Sequence, residues 1–369
     1  MKLLIPGPVT THRSVRAALA RDFAPWDAAF QPIYHGLRAR LLRLGNGTQA
    51  THTALILPGC GHFVTEAAIR SLIPPGGRIL VPMTGAYAER MARLAREAGR
   101  VPVPLPVSPV APTDPDAVRR ALLADPSLGH VGLVYSETAT GVIHDPAAIG
   151  AVVRALGRRM IVDAVSAFGA LPIDLAAQPE IDAVVFTANK CLEGVPGVAF
   201  ALARSDRLAA AAGQAGSWSF DLADVAARLA AGDGPRFTPA VQVLAALVVA
   251  LDRLDAEGGP AARLVRYRAN MRVLHEGMRG LGLAPVLGTG MQGPIVVNIH
   301  APADPRWDLQ RFVDAVKRRG FVISNFYNTA RPSFRLGCIG ALRPADMRRA
   351  VGTIGAALEE LGVRERRAA

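Results

Sequence analysis

One lysine in this 369-residue chain is placed to do covalent chemistry. Lys190 closes the apolar run AVVFTANK (183–190), with no acid beside it and a turn-rich CLEGVPG after it. Lysine is scarce here: Lys2, Lys190 and Lys317 stand among 42 basic residues, and the other 39 are arginines. A lysine at a buried strand end is therefore unlike an ordinary surface residue. Desolvation lowers an ammonium's pKa and yields an amine able to form a Schiff base. The plainer reading is a half-buried lysine whose head snorkels to solvent. Asp163, in MIVDAVSAFG, ends the preceding apolar run. Adjacent strands would deliver both side chains to one sheet edge. An aspartate at a strand end is commonly a turn residue, so the pairing carries the weight.

That pair is what pyridoxal phosphate requires of a protein. An acid keeps the pyridine nitrogen protonated, which makes the ring an electron sink, and a lysine holds the aldehyde. A third component is the turn Pro58-Gly59-Cys60-Gly61-His62 between a strand and a helix. Such a turn leaves backbone N–H groups at a helix N-terminus, where a phosphate binds well. Many strand-to-helix connections share this composition, so its value comes from standing before Asp163 and Lys190 in order. Tyr87, in MTGAYAERM, is placed to lay its ring over a flat cofactor; otherwise it is a core aromatic.

The elements needed to position these residues are legible as periodicity. Apolar runs at 54–57, 79–81, 101–107, 130–135, 160–168, 183–190 and 198–203 alternate with helical patterns at 62–72, 86–98, 115–124 and 146–156. Apolar strands separated by helices predict an α/β fold whose mainly parallel sheet lies between helices, with ligands at the strands' carboxyl ends. After residue 205 the pattern changes. Helices are expected over 239–254 and 260–280. Strands at 294–300, 321–324 and 333–337 then join helices at 309–319 and 344–361 in a smaller α+β unit. The expected division is a large domain over 15–256 and a small one over 257–369, with segment 1–14 packing near the site. The closing RERRAA reads as a frayed tail.

Composition narrows the function classes. Half the residues are apolar and 20% are charged, which excludes disorder as the main state. The longest apolar run, 243–251, covers nine residues, and a spanning helix needs about 20. Pro6 and Pro8 interrupt the apolar start, so no signal peptide is evident, and Cys60, Cys191 and Cys338 form neither a disulfide framework nor a metal-site spacing. A cytoplasmic protein that binds no metal is expected. The net charge of +12 invites a nucleic-acid reading, but the arginines are scattered along helical stretches, with no interleaving of basic and aromatic residues. Solvated helix faces account for most of that charge, and a small anion is its expected beneficiary.

Stretches running through almost the whole chain are similar to the class V aminotransferases, pyridoxal phosphate enzymes of fold type I. They include LLIPGPVTT (3–11), GCGHFVTEA (59–67), TGAYAERM (84–91), SETATGVIHD (136–145), IVDAVSAFGALPIDL (161–175), TANKCLEGVPGVAF (187–200), RFTP (236–239) and FRLGCIG (334–340). The resemblance implies that Lys190 is the Schiff-base lysine and the base that moves the substrate proton, and that Asp163 pairs with the pyridine nitrogen. It implies that Tyr87 stacks on the ring and that Thr138 bonds near the cofactor's phenolic oxygen. Cys60, Gly61 and His62 would form the phosphate loop, with Asn189 assisting. Thr238 would reach the phosphate from a partner subunit, which makes the expected active unit a homodimer with its site at the interface. Arg335 matches the arginine that grips the carboxylate of the amino or keto acid, a bidentate geometry that lysine cannot copy.

The implied reaction moves an amino group from 2-aminoethylphosphonate, or a close relative, to pyruvate. An alanine–glyoxylate or serine–pyruvate type transfer, or a lyase reaction on the same scaffold, is the alternative. Three departures bear on the donor. Cys60 stands where serine is usual, Gly216 stands where phosphonate enzymes carry a basic side chain, and residues 324–332 replace a Pro-Gly-Lys turn. Arg331 is the residue able to compensate.

Overall fold

The structure, a computed structural model, describes residues 1–232, 234–326 and 329–368. Its centre is a seven-stranded sheet in the spatial order His52–Gly59, Gly197–Arg204, Ile181–Thr187, Arg159–Asp163, Leu128–Val134, Arg78–Pro82 and Val101–Leu105. Six strands point the same way. Gly197–Arg204 alone runs antiparallel to both neighbours, so the expected mainly parallel sheet carries one reversed strand.

The central strands are buried on both faces, which is why they read as unbroken apolar runs. Met160, Val162, Val184 and Phe186 enter one core; Ile161, Ala183 and Val185 enter the other. Helices cover both faces, and their starts follow from local chemistry. Asp114 and Asp145 each accept a backbone N–H in the first turn, and a proline follows each at the first helical position. The expected strand over 160–168 stops at Asp163. There the side chain accepts the Val165 N–H at 2.9 Å and turns the chain.

A second core gathers Leu4, Leu274, Val297, Phe312, Phe334 and Met347 with their neighbours. It packs the helices Gly259–Gly280, Leu309–Arg318 and Pro344–Glu360 on the antiparallel pair Val296–His300 and Ser333–Gly337. The strand Lys2–Leu3 pairs with Phe321–Val322, so the chain's first residues pack on this C-terminal unit. The tail through Arg367 does not fray: the Arg364 and Glu365 N–H groups donate to Asp304, and Ala303 N–H donates to the Arg367 carbonyl. A buried aspartate captures the tail's backbone, a partner that the basic composition of RERRAA does not disclose. Among the described residues no helix is long and apolar enough to cross a membrane.

Candidate active site

At the carboxyl ends of the parallel strands lies a cavity of about 150 Å³ lined by Cys60, Gly61, His62, Tyr87, Asp163, Asn189 and Lys190. Seven residues singled out in the sequence, from four separate stretches, therefore meet in one place. Thr138 and Arg335 adjoin it through Tyr87. Thr238 does not: it is exposed and lies outside this cavity.

Each side chain arrives there for a local reason. The strand Ile181–Thr187 ends three residues before Lys190, and a tight turn follows in which Gly194 N–H donates to the Ala188 carbonyl at 2.8 Å. Lys190 Nζ donates to the Pro6 carbonyl at 3.0 Å. Gly7 makes this approach possible, because a Cβ built there would lie 2.4 Å from Lys190 Cδ. Burial lowers the Lys190 pKa, while Tyr87 and Asp163 partly offset that and Arg335 adds to it. The amine is thus poised toward its neutral, nucleophilic form.

Asp163 sits on the neighbouring strand. Burial raises its carboxyl to about 6, against the Val165 N–H and the charges of Arg90 and Lys190. A carboxyl so placed favours a cationic partner in direct contact. The helix Gly61–Leu72 starts at Cys60 with no side-chain cap, so its first N–H groups point into the cavity and are available to an anion. Ser136 Oγ and Thr187 Oγ1 line the same cavity and form no hydrogen bond within the protein. An N–H cup, an acid suited to a protonated ring nitrogen and a desolvated lysine fit pyridoxal phosphate at its three chemically distinct ends.

Tyr87 begins the helix Ala86–Glu97, with the Arg90 guanidinium 4.8 Å from its ring centroid. Burial raises its phenol, but Lys190, the Thr138 hydroxyl, Arg335 and Arg90 together bring it below the ordinary value. Arg335 comes from the second unit. It is 3% exposed, donates through Nη1 to the Thr138 carbonyl at 3.2 Å, and leaves Nε without a partner. A buried guanidinium with free N–H groups suits a carboxylate. Its cation also lies 4.8 Å from the Phe326 ring centroid.

Sequence reasoning passed over Glu137, which is fully buried one residue before Thr138. Its carboxyl accepts N–H groups from Tyr87 at 3.2 Å and Ala139 at 3.0 Å. Burial pushes it up to about 7, against those bonds. A glutamate inside SETATG, between Ser136 and Thr138, had no periodic or spacing signal to mark it. Gly216 occupies an exposed left-handed turn at φ 64°. Arg331 lies beside His300 in an adjoining cleft. Within residues 324–332, Tyr327 and Asn328 lie outside the described residues.

Known proteins match the chain in sequence and in fold. The family model described as aminotransferase class-V matches residues 16–314. A 2-aminoethylphosphonate–pyruvate transaminase of Burkholderia ambifaria is 44% identical over 98% of this chain and 96% of its own, and that of Burkholderia pseudomallei is 45% identical over 98% and 97%. Among solved structures, pyridoxamine-pyruvate aminotransferase from Mesorhizobium loti superposes with a TM-score of 0.88 at 26% identity, covering 99% of this chain and 93% of that one. An aspartate aminotransferase from Thermus thermophilus does so at 0.84 and 26%, covering 98% and 100%. Matched in sequence and in fold over most of its length, this chain belongs to the class-V aminotransferase family, pyridoxal phosphate-dependent enzymes of fold type I.

Proposed function

We propose that the chain is a 2-aminoethylphosphonate–pyruvate aminotransferase, yielding phosphonoacetaldehyde and alanine. The observation that carries the reaction class is the meeting of Lys190 and Asp163 at neighbouring strand ends with Arg335 brought over them. The substrates are supported by relatives of that name, 44% and 45% identical over 98% of the chain.

In this reading Gly61 and His62 hold the cofactor's phosphate through backbone N–H groups, with Cys60 and Asn189 beside them. Asp163 holds a proton at the ring nitrogen, and Tyr87 and Thr138 fix the ring plane and its phenolic oxygen. Bound there, pyridoxal phosphate supplies the electron sink that loosens the C–H bond beside the donor's amine. Lys190 Nζ would carry the proton from that carbon to the cofactor and, in the second half-reaction, from the cofactor to the carbon of the keto acid, which its lowered pKa equips it to do. Arg335 orients the keto acid through its carboxylate, so that the amino group is delivered to the adjacent carbon. Before the cofactor is bound, the Pro6 carbonyl holds the Lys190 amine in the cavity.

The active unit is a cytoplasmic homodimer in which Thr238 of one subunit completes the phosphate cup of the other. Exposure of Thr238 on its own subunit agrees with that role. The chain divides into a large cofactor domain over 15–256 and a small domain over 257–369, with segment 1–14 joined to the latter; the separate core around Leu4 and Phe334 supports this division. The small molecules are an amine donor and a keto acid; nucleic acid and membrane have no part.

The deciding experiment is a half-reaction donor screen on the holoenzyme without keto acid. 2-Aminoethylphosphonate is expected to convert the cofactor to its amine form faster than alanine or serine. Conversion by another donor while the phosphonate fails would refute the donor assignment, and ammonia release without keto acid would mark a lyase.

A further inference from the structure

The turn that presents Lys190 is held from behind by groups that line no part of the cofactor cavity. Glu193 adopts the left-handed region at φ 58° and is 6% exposed. A residue with a Cβ takes that conformation only when its surroundings impose it. Its N–H donates to the Lys190 carbonyl at 3.0 Å, so the glutamate and the lysine share one tight turn. Glu193 Oε1 accepts from the Tyr267 hydroxyl and from Arg266 Nη2, both at 2.7 Å. Arg263 Nη1 donates to the Cys191 carbonyl at 2.9 Å. Tyr267, Arg266 and Arg263 all project from the helix Gly259–Gly280 of the second unit.

The same helix also reaches the opposite way. Arg266 Nη1 donates to the carbonyls of Gly340 at 2.6 Å and Leu342 at 2.8 Å, and Gly340 N–H donates to the Tyr267 hydroxyl at 3.2 Å. Asn270 Nδ2 donates to the Cys338 carbonyl at 2.9 Å. These groups directly follow the strand Ser333–Gly337, which carries Arg335. Glu257 holds Arg266 Nε at 2.7 Å and Arg263 Nη2 at 3.0 Å, which neutralises the guanidiniums from the other side. A continuous set of hydrogen bonds thus runs from the lysine turn to the arginine strand, and among the described residues Glu193 is the one side chain of the turn that it bonds.

We propose that Glu193 is a positioning residue: through Tyr267 and Arg266 it locks the Lys190 turn and the Arg335 strand into one body, fixing the distance between amine and carboxylate grip. The inference rests on the roles given to Lys190 and Arg335 above. A bonded chain between two sites is only spatial continuity until coupling is measured, and a buried ion pair often adds little net stability. The test therefore has to read position as well as stability.

The holoenzyme of Glu193→Ala is compared with wild type by visible circular dichroism of the bound cofactor, KM for pyruvate and thermal midpoint. The expected result is ellipticity per borohydride-labelled Lys190 reduced at least about twofold and KM raised about tenfold. Glu193→Gln keeps the acceptor oxygen and should return KM to within about threefold of wild type. A folded Glu193→Ala with wild-type ellipticity and KM would overturn the proposal, however far its midpoint falls. If that variant does not fold, Tyr267→Phe decides: it keeps the ring, removes the O–H, and should raise KM about threefold. Wild-type KM and ellipticity in folded Tyr267→Phe would be equally fatal. Absence of labelled Lys190 in wild type would instead sink the functional reading, and this inference with it.

Discussion

Asp163 and Glu137 are carboxyls buried in one cleft, raised by burial from 3.8 to about 6 and from 4.5 to about 7. The folded chain holds these protons more tightly than the unfolded chain does. Their contribution to stability is complete below the unfolded values and is lost as pH rises through the folded ones. These two carboxyls therefore lower the stability of cofactor-free protein between about pH 4.5 and 7, and Glu137→Gln should remove its share of that loss, so that the variant gains on wild type as pH rises through the window. Thermal midpoints across this window check it; an unchanged slope in the variant contradicts the assignment. Burial lowers His52, His144 and His300, His144 to about 4, so these histidines add stability as pH rises toward 6.5 and oppose the carboxyls; comparison of variant with wild type cancels them. Arg335→Lys loses the bidentate fork at a buried site. We expect kcat/KM for pyruvate to fall roughly 30- to 100-fold, about 2–3 kcal/mol, measured at saturating donor. Lys190 was legible because lysine is scarce and an apolar run precedes it. Glu137 and Glu193 were not, because their importance lies in backbone N–H groups and a distant helix that no local pattern announces.

Strand ends and helix starts do most of the positioning. The glycine-rich turn before the helix Gly61–Leu72 was readable from the sequence, as were the helical stretches at 115–124 and 146–156, whose starts the structure ties to Asp114 and Asp145. Strand direction was not: Gly197–Arg204 has the same apolar composition as its parallel neighbours, and only pairing reveals its reversal. Two close approaches test the elements. A Cβ on Gly61 would lie 2.6 Å from Val165 Cγ2, in the segment that follows Asp163. Gly61→Ala should weaken cofactor affinity about tenfold, read by fluorescence titration, because the N–H cup must shift. Gly7→Ala combines a positive φ of 150° with a Cβ 2.4 Å from the Lys190 stem. It should slow covalent loading of the lysine while leaving the fold's circular dichroism intact; wild-type loading would show that Gly7 does not shape the lysine's approach.

At the scale of the molecule, two packed units bring Arg335 from one core over the Lys190 and Asp163 strands of the other. The two units were expected from the change of pattern near residue 205, but the return of the N-terminal strand to pair with Phe321–Val322 was not. Two residues carry too little periodicity to announce so distant a pairing. Many of the arginines are matched by carboxylates, as Arg40 is by Asp252 and Asp255, and the functional part of the +12 excess reduces to a few arginines that meet anions. If Thr238 serves a partner's site, mixing Lys190→Ala with Thr238→Ala should regenerate hybrid dimers with one intact site and recover about a quarter of wild-type activity after random exchange. No recovery, with exchange verified, contradicts a shared site. The reaction depends on Lys190 carrying the cofactor covalently. Borohydride reduction of the pyridoxal phosphate-loaded protein followed by peptide mapping decides this. A single stable adduct on Lys190 and loss of the visible band in Lys190→Ala are expected; an adduct on Lys2 or Lys317, or a band that survives Lys190→Ala, would overturn the assignment.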